Sequence, residues 1–347
     1  MSFEKPIISA LRGSKLDKLP FWFMRQAGRY LPEYRELRKQ AGSFLDMAYN
    51  PDFATEVTMQ PVRRYNMNAA ILFSDILVIP HALGRDLRFV ENEGPKLNPI
   101  HEKQDIPEYS EVKMHEFLTP VCEAINKLQK SLKDENFNDT ALMGFSGAPW
   151  TLACYMIEGG GSKEFIEVKK WAYNRKDEFQ LLIDVLTQAV ADYLIRQVKS
   201  GVEVLQIFDS WSGVLNDEGF ERWVVQPTKT IIGKLKAEDI DVPVIGFPRG
   251  AGEKYLSYAS QTDVDAVSID QFTSLKYAKE LQKHVIIQGN MDPVYLLGDS
   301  DQMLVEAKRI CDSLNDKPFI FNLGHGVIKE TSPDNMQILT NFLKDYK

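Results

Sequence analysis

The sequence predicts a single-domain α/β protein over residues 1–347, a (β/α)8 (TIM) barrel with its active site at the C-terminal ends of the strands. Three observations predict it. Eight short apolar runs recur along the chain: Phe21–Met24, Ala69–Ser74, Ala141–Phe145, Val202–Phe208, Val242–Phe247, Asp265–Ile269, Val285–Gln288 and Phe319–Leu323. Most are nearly continuous in Ile, Val, Leu and Phe, the pattern of a parallel sheet covered on both faces. Helical stretches separate them, such as Leu181–Lys199, Glu218–Ala237, Leu275–Lys283 and Gln302–Asn315. Eight such alternations are what a barrel requires. An open doubly wound sheet is the alternative, but no G-x-G-x-x-G follows the first run. The stretch from Pro80 to Thr140 is rich in charge, Pro and Gly, and reads as a long connection with helical or irregular excursions.

Composition narrows the function classes. The chain has 347 residues, 44% of them hydrophobic, and a net charge of −8. That size supports a large core. That charge argues against nucleic acid or an anionic membrane as partner. Cys122, Cys154 and Cys311 lie far apart without a metal-ligand spacing, so no metal is expected and reduced thiols of a cytoplasmic protein are. Met1–Gly13 carries Glu4, Lys5 and Arg12 and lacks the apolar run of a signal peptide, and no run is long enough to cross a membrane.

The residues that follow each run carry the candidate chemistry, because barrel strands bring their C-terminal ends to one mouth. Arg25-Gln26-Ala27-Gly28-Arg29 follows the first run. Two planar guanidinium forks around a small Ala-Gly pair suit carboxylates, with backbone free to approach a ligand. The plain alternative is a surface loop with solvated arginines. Asp75 ends the second run among apolar neighbours, where a carboxylate needs donors or a cation; capping the next helix is its other reading. Gly144–Leu152 turns from strand to helix, with Pro149 well placed in the first helical turn. Tyr155 lies about one turn further and is either a hydroxyl donor or core. Asp209-Ser210-Trp211 and Gly324-His325-Gly326 add a hydroxyl and an imidazole. A Ser-His hydrolase is disfavoured, since no G-x-S-x-G elbow occurs.

Together these stretches resemble the uroporphyrinogen decarboxylase family. The match runs through Pro20–Tyr34, Gly144–Leu152 with Tyr155, Gly289-Asn290-Met291-Asp292-Pro293 and Phe321–Gly326, nearly the whole chain; Met291 stands where the family usually has Leu. The resemblance implies a barrel that converts the four acetates of uroporphyrinogen to methyl groups, giving coproporphyrinogen in the haem pathway. It implies a homodimer with no metal or organic cofactor. It assigns Asp75, Arg25 and Arg29 to catalysis, and Arg25, Gln26, Ala27, Gly28, Arg29, Asp75, Tyr155, Ser210 and His325 to substrate binding. Phe145, Gly147 and Phe208 would shape the pocket wall. Two other readings are a zinc-dependent methyltransferase, which needs a His/Cys ligand set, and a non-catalytic tetrapyrrole carrier.

Overall fold

A computed structural model of the chain describes residues 4–90 and 93–346. Seven of the eight apolar runs become parallel strands. In chain order the strands are β1 (Ala69–Ile71), β2 (Leu87–Val90), β3 (Gly94–Leu97), β4 (Ala141–Gly147), β5 (Val204–Asp209), β6 (Val244–Pro248), β7 (Ala266–Ser268), β8 (Ile286–Met291) and β9 (Phe319–Leu323). Seven of them form one curled sheet ordered β1-β4-β5-β6-β7-β8-β9, every neighbouring pair parallel. Helices bridge successive strands and cover the outer face. The helix Lys176–Lys199, for instance, buries Phe179, Leu182, Leu186, Val190 and Leu194. Strands β6 and β9 are buried at every residue, which explains their continuous rather than alternating hydrophobicity. The long connection after β1 contains helical segments and an antiparallel hairpin of β2 and β3, which no periodicity in that stretch announced.

The expected first strand departs from the prediction. Among the described residues the sheet has seven strands, not eight, and Phe21–Met24 contributes a single parallel bridge from Phe21 to Phe321. The segment still lies between the two sheet edges. Trp22 N–H donates to Phe321 O (3.3 Å), Phe321 N–H to Pro20 O (2.9 Å), and on the other side Asn68 N–H donates to Phe21 O (3.0 Å). The ladder is short because side-chain amides take two of the backbone donors. Phe21 N–H donates to Asn68 Oδ1 and Met24 N–H to Asn322 Oδ1, both at 3.1 Å. A similar substitution ends β1 at Ile71 instead of Ser74. Phe73 N–H donates to the Thr58 hydroxyl at 2.9 Å and so leaves the ladder.

The space enclosed by the sheet is partly polar. Trp22 Nε1–H donates to Gln288 Oε1 (2.8 Å), and the Gln288 amide donates to Gln206 Oε1 and Ser268 Oγ (both 3.1 Å). These four side chains are fully buried. Apolar replacements would fill the same space, but this amide chain, which leaves Gln206 Nε2 without an acceptor, ties β5, β7 and β8 to the first segment in one register. On the outer side, small residues let helices approach. A Cβ on Gly246 would stand 2.5 Å from Cε1 and 2.8 Å from Cζ of Tyr258, a buried ring with no room to retreat. Gly246→Ala should therefore destabilise the fold by about 1–3 kcal/mol through overpacking. Thermal unfolding of the variant beside the parent protein checks this, and an unchanged midpoint would show that Tyr258 can move.

Candidate active site

Because the strands are parallel, the residues following them share one rim. The first arginine is held in an unusual backbone state. Arg25 has φ 59°, left-handed and costly for a residue with a side chain. Its neighbours force it. Met24 N–H is bound to Asn322 Oδ1, Val327 N–H donates to Met24 O (2.8 Å), and Gln26 N–H turns back to Phe23 O (3.0 Å). The Arg25 side chain then runs across Gly326, where an added Cβ would stand 2.6 Å from its Cγ. Gly326 is thus glycine because arginine occupies the place of its side chain. Gly324, on the other flank of His325, lies against Gln271, 2.8 Å from its Cα by the same construction.

Within this frame the predicted groups converge electrostatically. Asp75 is only partly open to solvent. Its Oδ1 accepts the Leu77 N–H at 2.8 Å. Burial pushes its pKa up to about 6, opposed by the Leu77 bond and the positive charge of Arg25. At pH 7 it is mostly ionised, at a cost. The Tyr155 hydroxyl is pushed above its usual value by burial and by Asp75, with Arg25 acting against them. Burial, Arg25 and Arg249 lower His325 to about 3, so its imidazole is neutral. Arg25 therefore acts on Asp75, Tyr155 and His325 at once.

The remaining residues fall into place around them. Ser210 follows β5 and is partly exposed. Beneath it Asp209 is buried, accepts from the Thr151 hydroxyl, and is pushed by burial up to about 7. Thr151 Oγ1 also accepts the Trp211 N–H (3.3 Å), and Trp150 Nε1–H donates to Trp211 O (3.0 Å). These bonds pin the Ser210 turn to the helix Pro149–Glu158, which carries Tyr155 over the Trp211 ring at 4.2 Å between centroids. Phe145 and Phe208 meet edge to face at 5.7 Å. The backbone of Phe145 is clamped by Gln197, whose amide accepts from its N–H (3.0 Å) and donates to its O (2.9 Å). Gly147 is tight, with Ile76 Cβ 3.0 Å from an added Cβ. Ala27 and Gly28 are half-buried and Arg29 is exposed. The Gln26 side chain points into the wall, donating to Ala69 O (3.2 Å), while its carbonyl accepts the Tyr30 hydroxyl (2.8 Å). Gln26 is fully buried, with its N–H and carbonyl both engaged, so the structure brings neither its side chain nor its backbone polar groups to the rim, contrary to the expected role in binding.

Three residues that shape this rim carried no role in the sequence reading: Asn322, Arg249 and Asp270. Asn322 is a lone amide inside the buried run Phe319–Leu323, and that misfit was its signal. Arg249 and Asp270 stand directly after apolar runs, as Arg25 does. The cysteines lie in three separate helices, all buried.

Comparison with known proteins now bears on this site. The chain matches the family described as Uroporphyrinogen decarboxylase (URO-D) over residues 2–346. It belongs to the uroporphyrinogen decarboxylase family. A uroporphyrinogen decarboxylase of Rhodospirillum rubrum is 47% identical over 342 residues, covering 98% of this chain and 97% of that one. One from Mesorhizobium japonicum is 48% identical over 331 residues, covering 95% of each. Among solved structures, a methyltransferase from Methanosarcina mazei superposes with a TM-score of 0.80 at 18% identity, covering 99% of both chains. That likeness concerns the fold alone.

The site carries a stability cost that can be measured. Asp75 ionises near 6 in the folded chain and near 3.8 unfolded. Between those values the folded state holds more protons, so this group's contribution falls as pH rises and stays lost above about 6. Asp75→Asn keeps the Leu77 acceptor and never ionises. It should be more stable than the parent by about 1–3 kcal/mol at pH 8, the gap closing below pH 4. Denaturant melts at the two pH values decide the matter. A variant less stable at pH 8 would make Asp75 a structural cap.

Proposed function

We propose that this chain decarboxylates uroporphyrinogen, turning its four acetate side chains to methyl groups and releasing coproporphyrinogen and CO2 in porphyrin biosynthesis. The single observation that carries the reading is a poorly solvated Asp75 at the rim that lies within the influence of the positive charge of Arg25 and is not paired with it, in a chain of this family. The family also supports reading the molecule as one domain, a homodimer and a cytoplasmic enzyme. The bridge at Phe21 and the Asn68 bond support reading residues 20–24 as the eighth stave of a closed barrel.

The chemistry follows from what the substrate lacks. Breaking a C–CO2 bond leaves an electron pair that needs a sink, which many decarboxylases borrow from a cofactor. A pyrrole protonated on a ring carbon is its own sink. The pair from the breaking bond flows into the iminium-like ring and leaves an exocyclic methylene. A second proton on that carbon makes the methyl group, and loss of the ring proton restores the pyrrole. Asp75 accepts the inward pyrrole N–H groups and balances the ring cation, a fixed charge in poorly solvated surroundings. Arg25 and Arg29 grip carboxylates and bring the proton supply close. Neutral His325, Ser210 and Tyr155 offer hydrogen bonds to other acid side chains. Phe145 and Phe208, edge to face, give the ring an apolar wall with Gly147 packed beside them.

Anaerobic incubation of the purified protein with uroporphyrinogen, with a chelator and no additive, should give products losing one carboxyl at a time to the tetracarboxylate, seen by chromatography after oxidation. Activity that a chelator destroys and zinc restores would move the reading to the methyltransferase alternative. Asp75→Asn should slow single turnover by about 10²–10³ or more, while keeping its fold. The parent rate should fall as pH drops through about 6, because protonation removes the same charge. A folded variant that keeps more than about a third of the activity, far outside that range, would displace Asp75 from the centre.

Arg29→Lys tests the grip. Lysine keeps the charge but loses the planar two-bond fork. We expect kcat/KM to fall about tenfold or more, the scale of one charged hydrogen bond. Parent-like kinetics in a folded variant would make Arg29 a surface charge.

A further inference from the structure

The chain has fourteen arginines and more acids than bases, 49 Asp and Glu against 41 Lys and Arg. A guanidinium in such a chain readily finds an acceptor, and eleven of the fourteen do, on carboxylates, carbonyls or side-chain oxygens. Arg63 and Arg64 make bidentate carboxylate pairs, Arg175 bonds Glu102 and Glu178, and Arg85 bonds three backbone carbonyls. Among the described residues three have no hydrogen bond or ion pair from the side chain: Arg25, Arg29 and Arg249. The first two are the motif arginines. The third lies 220 or more residues away in sequence and reaches the same rim through the fold.

We propose that Arg249 is a third carboxylate-gripping arginine of the mouth, holding an acid side chain of the macrocycle across from Arg25; this rests on the function proposed above. Its base is rigid. Arg249 N–H donates to Asp209 O (3.0 Å), and its carbonyl accepts from Ser212 Oγ (3.0 Å) and Gly213 N–H (3.1 Å). The next residue, Gly250, takes φ 78° and donates its N–H to Asp270 Oδ2 at 2.6 Å. Asp270 makes no ion pair with the arginine; its oxygens are engaged by other donors. Oδ2 also accepts the Tyr255 hydroxyl, and Oδ1 accepts Phe272 N–H, Thr273 N–H and the Thr273 hydroxyl, all at 3.0–3.1 Å. The acid beside the turn thus positions Arg249 without pairing with it.

Arg249 stands at the rim directly after β6, with its backbone bonded to Asp209 beneath Ser210. Its charge reaches His325, where it joins that of Arg25. Its Nε is buried without an acceptor, an arrangement that costs free energy unless a ligand supplies one. The guanidinium lies over the ring of Phe272, with Cζ 6.0 Å from its centroid. That is the outer limit of a useful cation–π contact. Phe272 is 76% exposed, so the stack leaves the guanidinium face open. A substrate with eight carboxylates gives such a group a partner that Arg25 and Arg29 alone cannot exhaust.

Two measurements on full-length Arg249→Gln test this, with Lys130→Gln as a control of equal charge change at an exposed position outside the rim. Kinetics on uroporphyrinogen should show KM raised about tenfold to a hundredfold, the scale of one charged hydrogen bond. Turnover at saturation should stay within about threefold, as when binding is lost equally from ground and transition states. Tryptophan-fluorescence titration with oxidised uroporphyrin, an octacarboxylate, and with coproporphyrin, a tetracarboxylate, reads binding without chemistry. Weakening of both places Arg249 on a propionate, and weakening of uroporphyrin alone places it on an acetate. Parent-like KM and affinity in the folded variant would overturn the proposal while leaving the decarboxylase reading intact. Failure of the parent protein to turn over uroporphyrinogen would remove that reading, and the titrations would still decide whether Arg249 binds the acid groups. Should the Gln variant melt early, Arg249→Met keeps the aliphatic stem and is judged by the same two readouts.

Discussion

A single amide oxygen holds the two ends of the chain in working register. Asn322 Oδ1 accepts both Met24 N–H and Leu323 N–H, at 3.1 and 2.8 Å. It joins the first segment to the last strand one residue before Arg25 and three before His325. The left-handed backbone of Arg25, the path of its side chain over Gly326 and its influence on Asp75 follow from that junction. A regular ladder would have held Met24 more conventionally. It would also have continued Arg25 as extended chain, with its side chain in the sheet plane's alternation rather than lying across the last loop. The amide ends the strand early and re-aims the next residue, as bulges do at other functional sheet edges.

The electrostatics of the rim depend on that placement. Asp75 is an acid that burial would neutralise, kept ionisable by one N–H and one guanidinium. His325 is a base that burial and two arginines keep neutral. The rim thus carries an anion and a neutral hydrogen-bonding ring, not an ion pair. That distinction suits a ligand that is itself cationic at its centre during reaction and anionic at its edge. Under the proposed reaction, the centre is offered a charge and the edge is offered arginines. An ionic contact between Asp75 and His325 would have spent the central anion internally. The same economy appears in Asp270, whose oxygens are committed to backbone and hydroxyl donors so that Arg249 stays free.

Much of this was legible in the sequence, for identifiable reasons. Phe319–Leu323 coincides with β9 because five consecutive buried residues between polar turns leave no other reading. The paired runs Ala141–Phe145 and Val202–Phe208 fall on β4 and β5, whose ends extend to Gly147 and Asp209 through residues too small or too polar to look like strand. Phe21–Met24 was apolar enough to be a strand but pairs at only one residue. Asn68 and Asn322, some 45 and 300 positions away, took its donors, and no local pattern reports such partners. The hairpin β2–β3 was invisible for a related reason. Half of its residues are polar, charged or Gly/Pro, and its pairing is fixed by packing against the rest of the fold. Arg25 and Asp75 stood out as candidates because charge directly after an apolar run is a misfit, and Arg29 because it repeats that charge across a small Ala-Gly pair. Arg249 showed the same misfit, but its lack of an internal partner is a property of the fold alone.

Under the proposed reaction, one Asp75 must serve four acetates in turn. The macrocycle's four pyrroles are alike in ring chemistry, so rotation about its centre brings each acetate to the same place while the inward N–H groups keep facing one carboxylate. A site built for this needs a fixed centre and an edge that tolerates changing occupants. Arginine suits such an edge, since its fork accepts any carboxylate in its plane and does not distinguish acetate from propionate by charge. Two guanidiniums on a turn at the start of the sheet and one after β6 place such forks on separate parts of the rim. The strong constraint then lies on Asp75 and on the junction that aims Arg25. The outer grips can lose a carboxylate to chemistry at each turnover and still hold the ring by the propionates that remain.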